Sequence, residues 1–307
     1  MLVLSGLSAQ SQTITETFGS GVNQFSIDFV EIGNPNNAPD PSAIYPGLVS
    51  PLGAVRYIYN IGKYEISRDI VTKANALGGL ALTMSDMASF GGNGALKPAT
   101  GISFNEAARF INWLNEIKGY QKAYNFMTLG TNDEVSPWGD GQHVENNPYR
   151  HKNAVYYIPS SDEWYKAGYG SLSGEWFKYT TGSNLLPVSV ASGTNEETMV
   201  INRSENLGPA DIMTAGGLSS FGTMAQGGNV WEWSESLRWG QRMFRGGSWQ
   251  DQISALDVQL DNPPDVENDR IGFRVAMIPE PSSLSLLLAG GLVLLAGRRL
   301  VRIRGQD

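Results

Sequence analysis

The sequence contains no cysteine among its 307 residues. This absence excludes disulfide bonds, which exported proteins commonly use for stability, and it excludes every thiolate nucleophile and thiolate metal ligand. A folded form of this chain must therefore be stabilised by packing or by bound ions.

Histidines are scarce, and the common catalytic motifs are missing. The only two histidines, His143 and His151, lie in a stretch rich in glycine and asparagine, and we interpret them as surface residues of a loop, with a weak adventitious metal site as the alternative. The sequence has no phosphate-binding loop, dinucleotide fingerprint or serine nucleophile motif. The glycines of Gly91–Gly94 lack the lysine that a phosphate loop requires.

The chain is acidic, with a formal net charge of -8. The stretch 282–307 holds four arginines and one aspartate, so its removal changes the net charge to -11. Nucleic acid is therefore an unsuitable partner, because its phosphates require a basic surface. Cations, neutral glycans and basic proteins all remain compatible with an acidic domain.

Glycine and proline are plentiful, at 36 and 15 residues, whereas charged residues make up only 17% of the chain. This composition predicts many turns and loops, and the apolar share of 41% is enough for one sizeable core. No repeat or linker divides residues 13–278. We therefore predict a single domain over that range.

The C-terminal end has a distinctive order of a tripeptide, an apolar run and an arginine cluster: Pro279, Glu280 and Pro281, then Leu284–Ala296, then Arg298, Arg299, Arg302 and Arg304. The run is shorter than the roughly 20 residues of an ordinary membrane-spanning helix. It carries no charge, however, and the positive-inside rule would keep the arginines in the cytoplasm.

This order resembles the PEP-CTERM sorting signal of Gram-negative bacteria. The resemblance implies transient anchoring in the inner membrane, cleavage by an exosortase-type enzyme, and delivery to the cell surface or extracellular matrix. An ordinary C-terminal anchor helix, or a core helix, is the alternative. Against a core helix, the run is apolar on all sides and contains two glycines.

The N-terminal residues Met1–Ala9 are apolar and end in small residues before a polar stretch, as in the last part of a secretory signal peptide. The basic segment that normally precedes the apolar run is missing, so we expect the true start to lie upstream. A floppy N-terminus is the alternative. The predicted organisation is a truncated signal peptide at 1–12, one domain at 13–278, and the sorting signal with a short transmembrane segment at 279–307.

Local patterns predict three helices. Ser67 caps the first, Ser103 and Glu106 form a capping box for a second over 103–118, and Ser160 with Glu163 forms another for a short third. Short strands are predicted at 55–66, 156–158, 230–233, 243–249 and 272–277. Residues 170–228 show no lasting period and are predicted to be loops with brief strands.

Six motifs occur in an order typical of one family: Ile61–Ser67, Ile102–Asn115, Tyr156–Gly170, Gly227–Ser236 (GGNVWEWSES), Arg245–Trp249 (RGGSW) and Arg270–Ala276 (RIGFRVA). They resemble the motifs of the formylglycine-generating enzyme, or sulfatase-modifying factor, family. The resemblance implies an α+β fold, with a single loop-rich domain around a C-type-lectin-like core.

The chemistry of that family does not transfer. Its cysteine pair after the GGS motif binds copper, and a soft Cu(I) ion requires such thiolates. The two matching positions here are Asp251 and Leu256, so this route to formylglycine is excluded and we expect no copper. Relatives that form sulfoxides use histidines on non-haem iron. Two histidines away from the matching positions cannot build a three-histidine site, so we expect no iron either.

Of the metal sites that the resemblance implies, a calcium site remains compatible with this sequence. In a strand, Trp231 and Trp233 would point to one side and Glu232 to the other, into a polar pocket or solvent. Calcium takes about six to eight oxygen ligands, and the carbonyls of a glycine-rich turn can supply several of them.

The resemblance implies the following calcium ligands: the Glu232 side chain, the carbonyls of Gly227, Gly228 and Val230, and, for a second ion, Asn202. The alternative is that Glu232 accepts hydrogen bonds from backbone amides or pairs with an arginine such as Arg245 or Arg274. Calcium should raise the melting temperature under the first interpretation and leave it unchanged under the second.

The eight tryptophans and twelve tyrosines could supply stacking surfaces for sugars. Four tryptophans lie at core-like positions: Trp113, Trp164, Trp231 and Trp233. Three lie in loop-like contexts, where exposure is expected: Trp138, Trp176 and Trp239.

These observations predict an exported, surface- or matrix-sorted bacterial protein with no recognisable catalytic centre. We expect calcium to stabilise the domain, and its role to be extracellular binding or matrix structure, with an extracellular polysaccharide as a candidate partner. The alternative is a metal-dependent enzyme of the same superfamily, an oxidoreductase for example, in which carboxylates near Asp251 and a recruited metal carry the chemistry.

Overall fold

A computed structural model describes residues 12–48, 50–129 and 132–279 of the chain. The predicted signal-peptide residues before 12 and the sorting-signal residues Glu280, Pro281, Arg298 and Arg299 lie outside the described residues. Within the described part, no helix is both long enough and apolar enough to cross a membrane.

The described residues form three α-helices and fifteen strands, most of them short. The helices are α1 (Arg68–Gly78), α2 (Phe104–Ile117) and α3 (Ser161–Tyr169). The strands are β1 (Thr13–Phe18), β2 (Phe25–Ile32), β3 (Tyr59–Gly62), β4 (Asn125–Leu129), β5 (Asn132–Ser136), β6 (His143–Val144), β7 (Asn147–His151), β8 (Tyr156–Tyr157), β9 (Val188–Ser189), β10 (Thr198–Met199), β11 (Trp231–Arg238), β12 (Gln241–Arg245), β13 (Leu260–Asn262), β14 (Ile271–Gly272) and β15 (Ala276–Met277). This mixed content agrees with the predicted α+β class.

The larger sheet has the strand order β1-β2-β3-β15-β8. The last described strand, β15, lies inside the sheet and pairs antiparallel with both neighbours, since Ala276 is opposite Ile61 on β3 and Tyr157 on β8. The β1–β2 hairpin, for which the sequence patterns gave no prediction, forms one edge.

Helix α2 buries an apolar face against the core. Ala107, Ala108, Ile111 and Leu114 on the predicted face are fully buried, whereas Ile117 at its C-terminal end is 43% exposed. Four of the five predicted positions therefore face the core, and the helix turns its last residue toward solvent.

The predicted helix starts are confirmed. The Ser103 hydroxyl accepts from the N–H of Glu106, whose carboxylate accepts from the N–H of Ser103 at 2.9 Å. Ser160 and Glu163 form the same reciprocal pair at α3, and Ser67 caps α1. These contacts satisfy amide groups that would otherwise lack partners in the first turn.

The second sheet has the order β13-β12-β11-β14. Strands β11 and β12 form an antiparallel hairpin in which Glu232 lies opposite Arg245, while β14 runs parallel to β11. The strand predicted at 243–249 ends at Arg245, because Gly246 and Gly247 adopt positive φ angles of 106° and 74° and turn the chain.

The predicted histidine loop instead contains two hairpins, β4–β5 and β6–β7. His151, at the end of β7, is only 8% exposed, and its ring meets Trp138 edge-on with centroids 4.8 Å apart. Burial lowers the pKa of His151. The interpretation of His151 as a surface residue was therefore wrong, because strand pairing turns it inward.

Candidate functional site

The alternation of side chains at the start of β11 is confirmed. Trp231 and Trp233 both pack edge-on against Phe244, with ring centroids 5.4 Å apart in each pair. Glu232 extends from the opposite face and is 1% exposed. The carboxylate therefore lies in a buried polar pocket rather than in solvent.

Arg274 fills this pocket. Its Nε lies 2.5 Å from Glu232 Oε2, its Nη2 hydrogen-bonds Oε1, and both side chains are fully buried. Trp164 Nε1 also donates to Oε2, at 2.7 Å. Other N–H groups of Arg274 donate to the carbonyls of Gly62 and Met224 at 2.8 and 2.9 Å. Glu232 thus has the arginine partner that was the alternative to calcium.

A second carboxyl group, Glu65, lies beside this pair. It accepts hydrogen bonds from Asn229 Nδ2 at 2.6 Å and from the N–H of Val230 at 3.3 Å. Burial, followed by the charge of Glu232, raises the pKa of Glu65 well above its ordinary value, although Arg274 opposes the change. Glu65 therefore holds its proton more tightly than an exposed glutamate, which reduces the negative charge that Arg274 must balance.

The two glycines of the predicted calcium turn allow close packing. A Cβ atom on Gly227 would lie 2.3 Å from Thr180 Oγ1, and one on Gly228 would lie 2.4 Å from the carbonyl oxygen of Val200. Gly228 also has a φ of 76°, which disfavours any residue with a side chain. Glycine is therefore required here by the neighbouring chain, whether or not an ion binds.

The Glu232 side chain does not fit the predicted role of calcium ligand. Oε2 already accepts from both Arg274 and Trp164, and a divalent cation at Oε1 would place a second positive charge beside the buried guanidinium, which disfavours calcium unless Arg274 moves away. Among the described residues, no group of three or more histidine, aspartate or glutamate side chains could hold a metal ion. Calcium at the carbonyls of Gly227, Gly228 and Val230 stays a prediction, as does calcium at the exposed Asn202.

Asp251, at the position that matches the family's first copper-binding cysteine, organises the turn after RGGSW. Its Oδ2 accepts from the N–H and the Oγ of Ser248 at 2.9 and 2.6 Å, and from Trp231 Nε1 at 2.8 Å. The nearest charged partner, Arg270 Nη1, lies 3.9 Å from Oδ1. Leu256, at the second matching position, is 2% exposed and lies in the core. Asp251 therefore stabilises a turn, and Leu256 packs in the core.

Sequence reasoning missed a buried polar cluster at the start of α3. Arg150 lies between two glutamates, with Nη1 3.5 Å from Glu163 and Nε 3.4 Å from Glu235. The hydroxyls of Tyr57 and Tyr157 each donate to Glu163 Oε1 at 2.8 Å. Four of these residues are buried, namely Arg150, Tyr157, Glu163 and Glu235, whereas Tyr57 is exposed.

The two glutamates of this cluster differ in proton affinity. Burial raises the pKa of Glu235 to about 7, although Arg150 opposes the change. Burial acts in the same direction on Glu163, but Arg150 and hydrogen bonds outweigh it and lower the pKa of that group. Glu235 can therefore take up a proton near neutral pH. Only the capping-box pattern at Glu163 marked this region in the sequence.

The three tryptophans expected in loops differ in their surroundings. Trp138 is partly buried, and its Nε1 donates to the carbonyl of Ala123 at 2.9 Å. Trp176 is partly buried against Tyr165, with ring centroids 5.6 Å apart. Trp239 is 72% exposed. Of these three, Trp239 alone has the exposure that a stacking surface requires.

Solved structures with a similar fold include three proteins. CarF shares 20% identity at a TM-score of 0.55, covering 83% of this chain and 99% of that chain. Variable protein 1 of Treponema denticola shares 18% at 0.57, covering 87% and 99%. PvdO from Pseudomonas aeruginosa shares 15% at 0.51, covering 86% and 98%. At these identities the likeness shows the fold alone.

A comparison with curated proteins gave no significant match. The sequence of residues 57–278, in contrast, matches the sulfatase-modifying factor enzyme 1-like domain. That range includes Glu232, Asp251 and the cluster around Arg150. Because the match extends over most of the chain, this protein belongs to the sulfatase-modifying factor enzyme 1-like domain family.

Proposed function

We propose that this family member is an exported protein that binds or organises extracellular material and does not oxidise cysteine. The observation that carries the proposal is the use of the two positions that match the copper ligands. Asp251 accepts three hydrogen bonds within its turn, and Leu256 lies in the core. Neither side chain can supply a thiolate, and the sequence has no cysteine elsewhere.

The proposed destination is the cell surface or extracellular matrix of a Gram-negative bacterium, reached through an exosortase-type enzyme. The order of the C-terminal residues supports this proposal. The last described strand also precedes the tripeptide, since the N–H of Ile278 donates to the carbonyl of Val155 at 3.0 Å and Pro279 follows directly. A cleavage after that point would leave every described strand intact.

The proposed partner is a polysaccharide with little charge. An acidic chain repels anionic polymers, whereas a neutral glycan costs no charge repulsion and can stack on aromatic side chains. The proposed core is of the C-type-lectin-like type, in which loops over a rigid centre carry the binding surface.

Binding of the purified full chain to immobilised neutral, basic and anionic polysaccharides tests this function. We expect retention on at least one neutral polymer and weaker retention on an anionic polymer such as alginate. A chain that binds none of them, or that instead converts a cysteine peptide to formylglycine above a metal-only control, would refute the proposal.

A further inference from the structure

We propose that Trp239 is the stacking platform for a sugar ring of a neutral polysaccharide, an inference that rests on the proposed function and assigns its binding site. Trp239 lies in the two-residue turn between β11 and β12, where Arg238 is paired with Gln241. With 72% of the residue exposed, it presents a large apolar surface to solvent.

The backbone of this turn is unusual for a tryptophan. Trp239 and Gly240 have φ angles of 53° and 83°, as in the two-residue turns that favour asparagine and glycine. A bulky residue with positive φ is uncommon and costs conformational energy, and such strain concentrates at functional sites. The strain at Trp239 has no compensation from burial, because the side chain remains in solvent.

The indole is nevertheless held in place. The guanidinium carbon of Arg238 lies 4.6 Å from the ring centroid, which is within the range of a cation–π contact. A Cβ atom on Gly47 would lie 2.9 Å from Cε2 and Cζ2 of the indole, so the absence of a side chain there allows the ring to approach the backbone. Arg238 covers part of the ring, and the residue as a whole remains 72% exposed, so most of the indole surface stays accessible to a ligand.

The positively charged neighbour of the indole is itself fixed and neutralised. Arg238 Nε donates to Asp261 Oδ1 at 2.8 Å, Nη2 donates to the same oxygen, and Nη1 donates to the carbonyl of Pro46 at 3.2 Å. Arg238 is 8% exposed. An anionic ligand therefore gains little from this guanidinium, whereas the flat ring above it is pre-organised for an uncharged one.

The chemistry of a neutral sugar ring matches this platform. One face of a pyranose presents C–H groups, which are attracted to the negative face of an aromatic ring, and its hydroxyls remain solvated at the rim. The area of a single indole is far below the ~800 Å² per partner that a stable protein interface buries. A repeating glycan can compensate for a weak single contact by engaging several chains at once.

Affinity electrophoresis of the full chain in gels containing dextran, xyloglucan or alginate tests the site, with Trp239→Gly as the key variant. Glycine favours the positive φ of this position, so the variant should keep or raise the melting temperature while it removes the indole. We expect its affinity for the retarding neutral polysaccharide to fall at least about tenfold, as for loss of a central aromatic contact. Leu186→Ala, at another exposed apolar position, should bind like the wild type.

Three results would overturn the assignment, and they separate it from the proposed function. If Trp239→Gly is retarded like the wild type, the polysaccharide binds elsewhere and only the platform is refuted. If the wild type is retarded by none of the polymers, both the function and the platform fail. If Trp239→Gly melts well below the wild type, or alters sedimentation of the protein alone, the indole is a packing or self-association contact.

Discussion

Replacing Glu232 with glutamine should strongly destabilise the protein, and this should happen in the absence of calcium. Glutamine keeps the shape of the side chain but removes the charge that faces Arg274, whose guanidinium is fully buried. Breaking a buried ion pair by removing one partner costs about 3–5 kcal/mol, because the remaining charge is left without compensation. At about 2–4 °C per kcal/mol for a domain of this size class, we expect the melting temperature to fall by about 6–20 °C.

Thermal unfolding followed by circular dichroism, with EDTA or with excess calcium, measures this effect. Glu145→Gln is a matched control, because the ion pair of Glu145 with Arg56 joins side chains that are 77% and 79% exposed. Such a surface pair contributes little to stability. The wild type and both variants should show the same ranking with and without calcium.

The opposite result would restore the calcium interpretation. If calcium raises the melting temperature of the wild type by several degrees, and Glu232→Gln lacks that response while melting like the wild type in EDTA, then the ion binds the carboxylate. Arg274 would then not be the partner that stabilises Glu232. The double variant Glu232→Gln/Arg274→Gln separates the cases further, because it should be less destabilised than the sum of the two single variants only if the two side chains depend on each other.

Three further predictions follow from other parts of the chain. In a host with exosortase, mass spectrometry of the mature protein should find a C-terminus near Pro281, and retention of Arg298–Arg304 would contradict the sorting prediction. Incubation with copper, oxygen and a sulfatase-type cysteine peptide should give no formylglycine, because neither Asp251 nor Leu256 can bind Cu(I); product above a metal-only control would require a site not foreseen here. Glu235 should make the free energy of unfolding fall as pH rises from about 4.5 to about 7, because the folded form binds its proton up to about pH 7 and the unfolded form releases it near the ordinary pKa of 4.5. Urea unfolding at pH 5 and pH 7.5 should show this decrease, and an unchanged difference in Glu235→Gln would exclude Glu235 as its source.

Structures set by neighbouring residues were predictable from the sequence. The capping boxes of α2 and α3 each join residues three positions apart, so they are visible as a short pattern and they recur in the structure. The alternation around Glu232 was also predictable, because a strand places successive side chains on opposite faces.

Contacts between distant residues were not predictable by the same reasoning. Glu232 could pair with several arginines, and the choice of Arg274, 42 residues away, depends on the parallel pairing of β11 with β14. The cluster around Arg150 brings together residues that are far apart in the sequence, from Tyr57 to Glu235, and the capping box at Glu163 is the one local pattern among them. The conformation of residues 170–228 likewise depends on long-range backbone hydrogen bonds, such as the one from the N–H of Asn229 to the carbonyl of Val200.

The position of β15 has a consequence for the timing of folding. Because this strand completes the interior of the sheet between β3 and β8, the two neighbours cannot be bridged until Ala276 and Met277 have left the ribosome. Nearly the whole domain must therefore be synthesised before its central pairing forms. For an exported chain, this arrangement would delay final folding until translocation is almost complete, which favours passage through a narrow channel that admits only unfolded polypeptide.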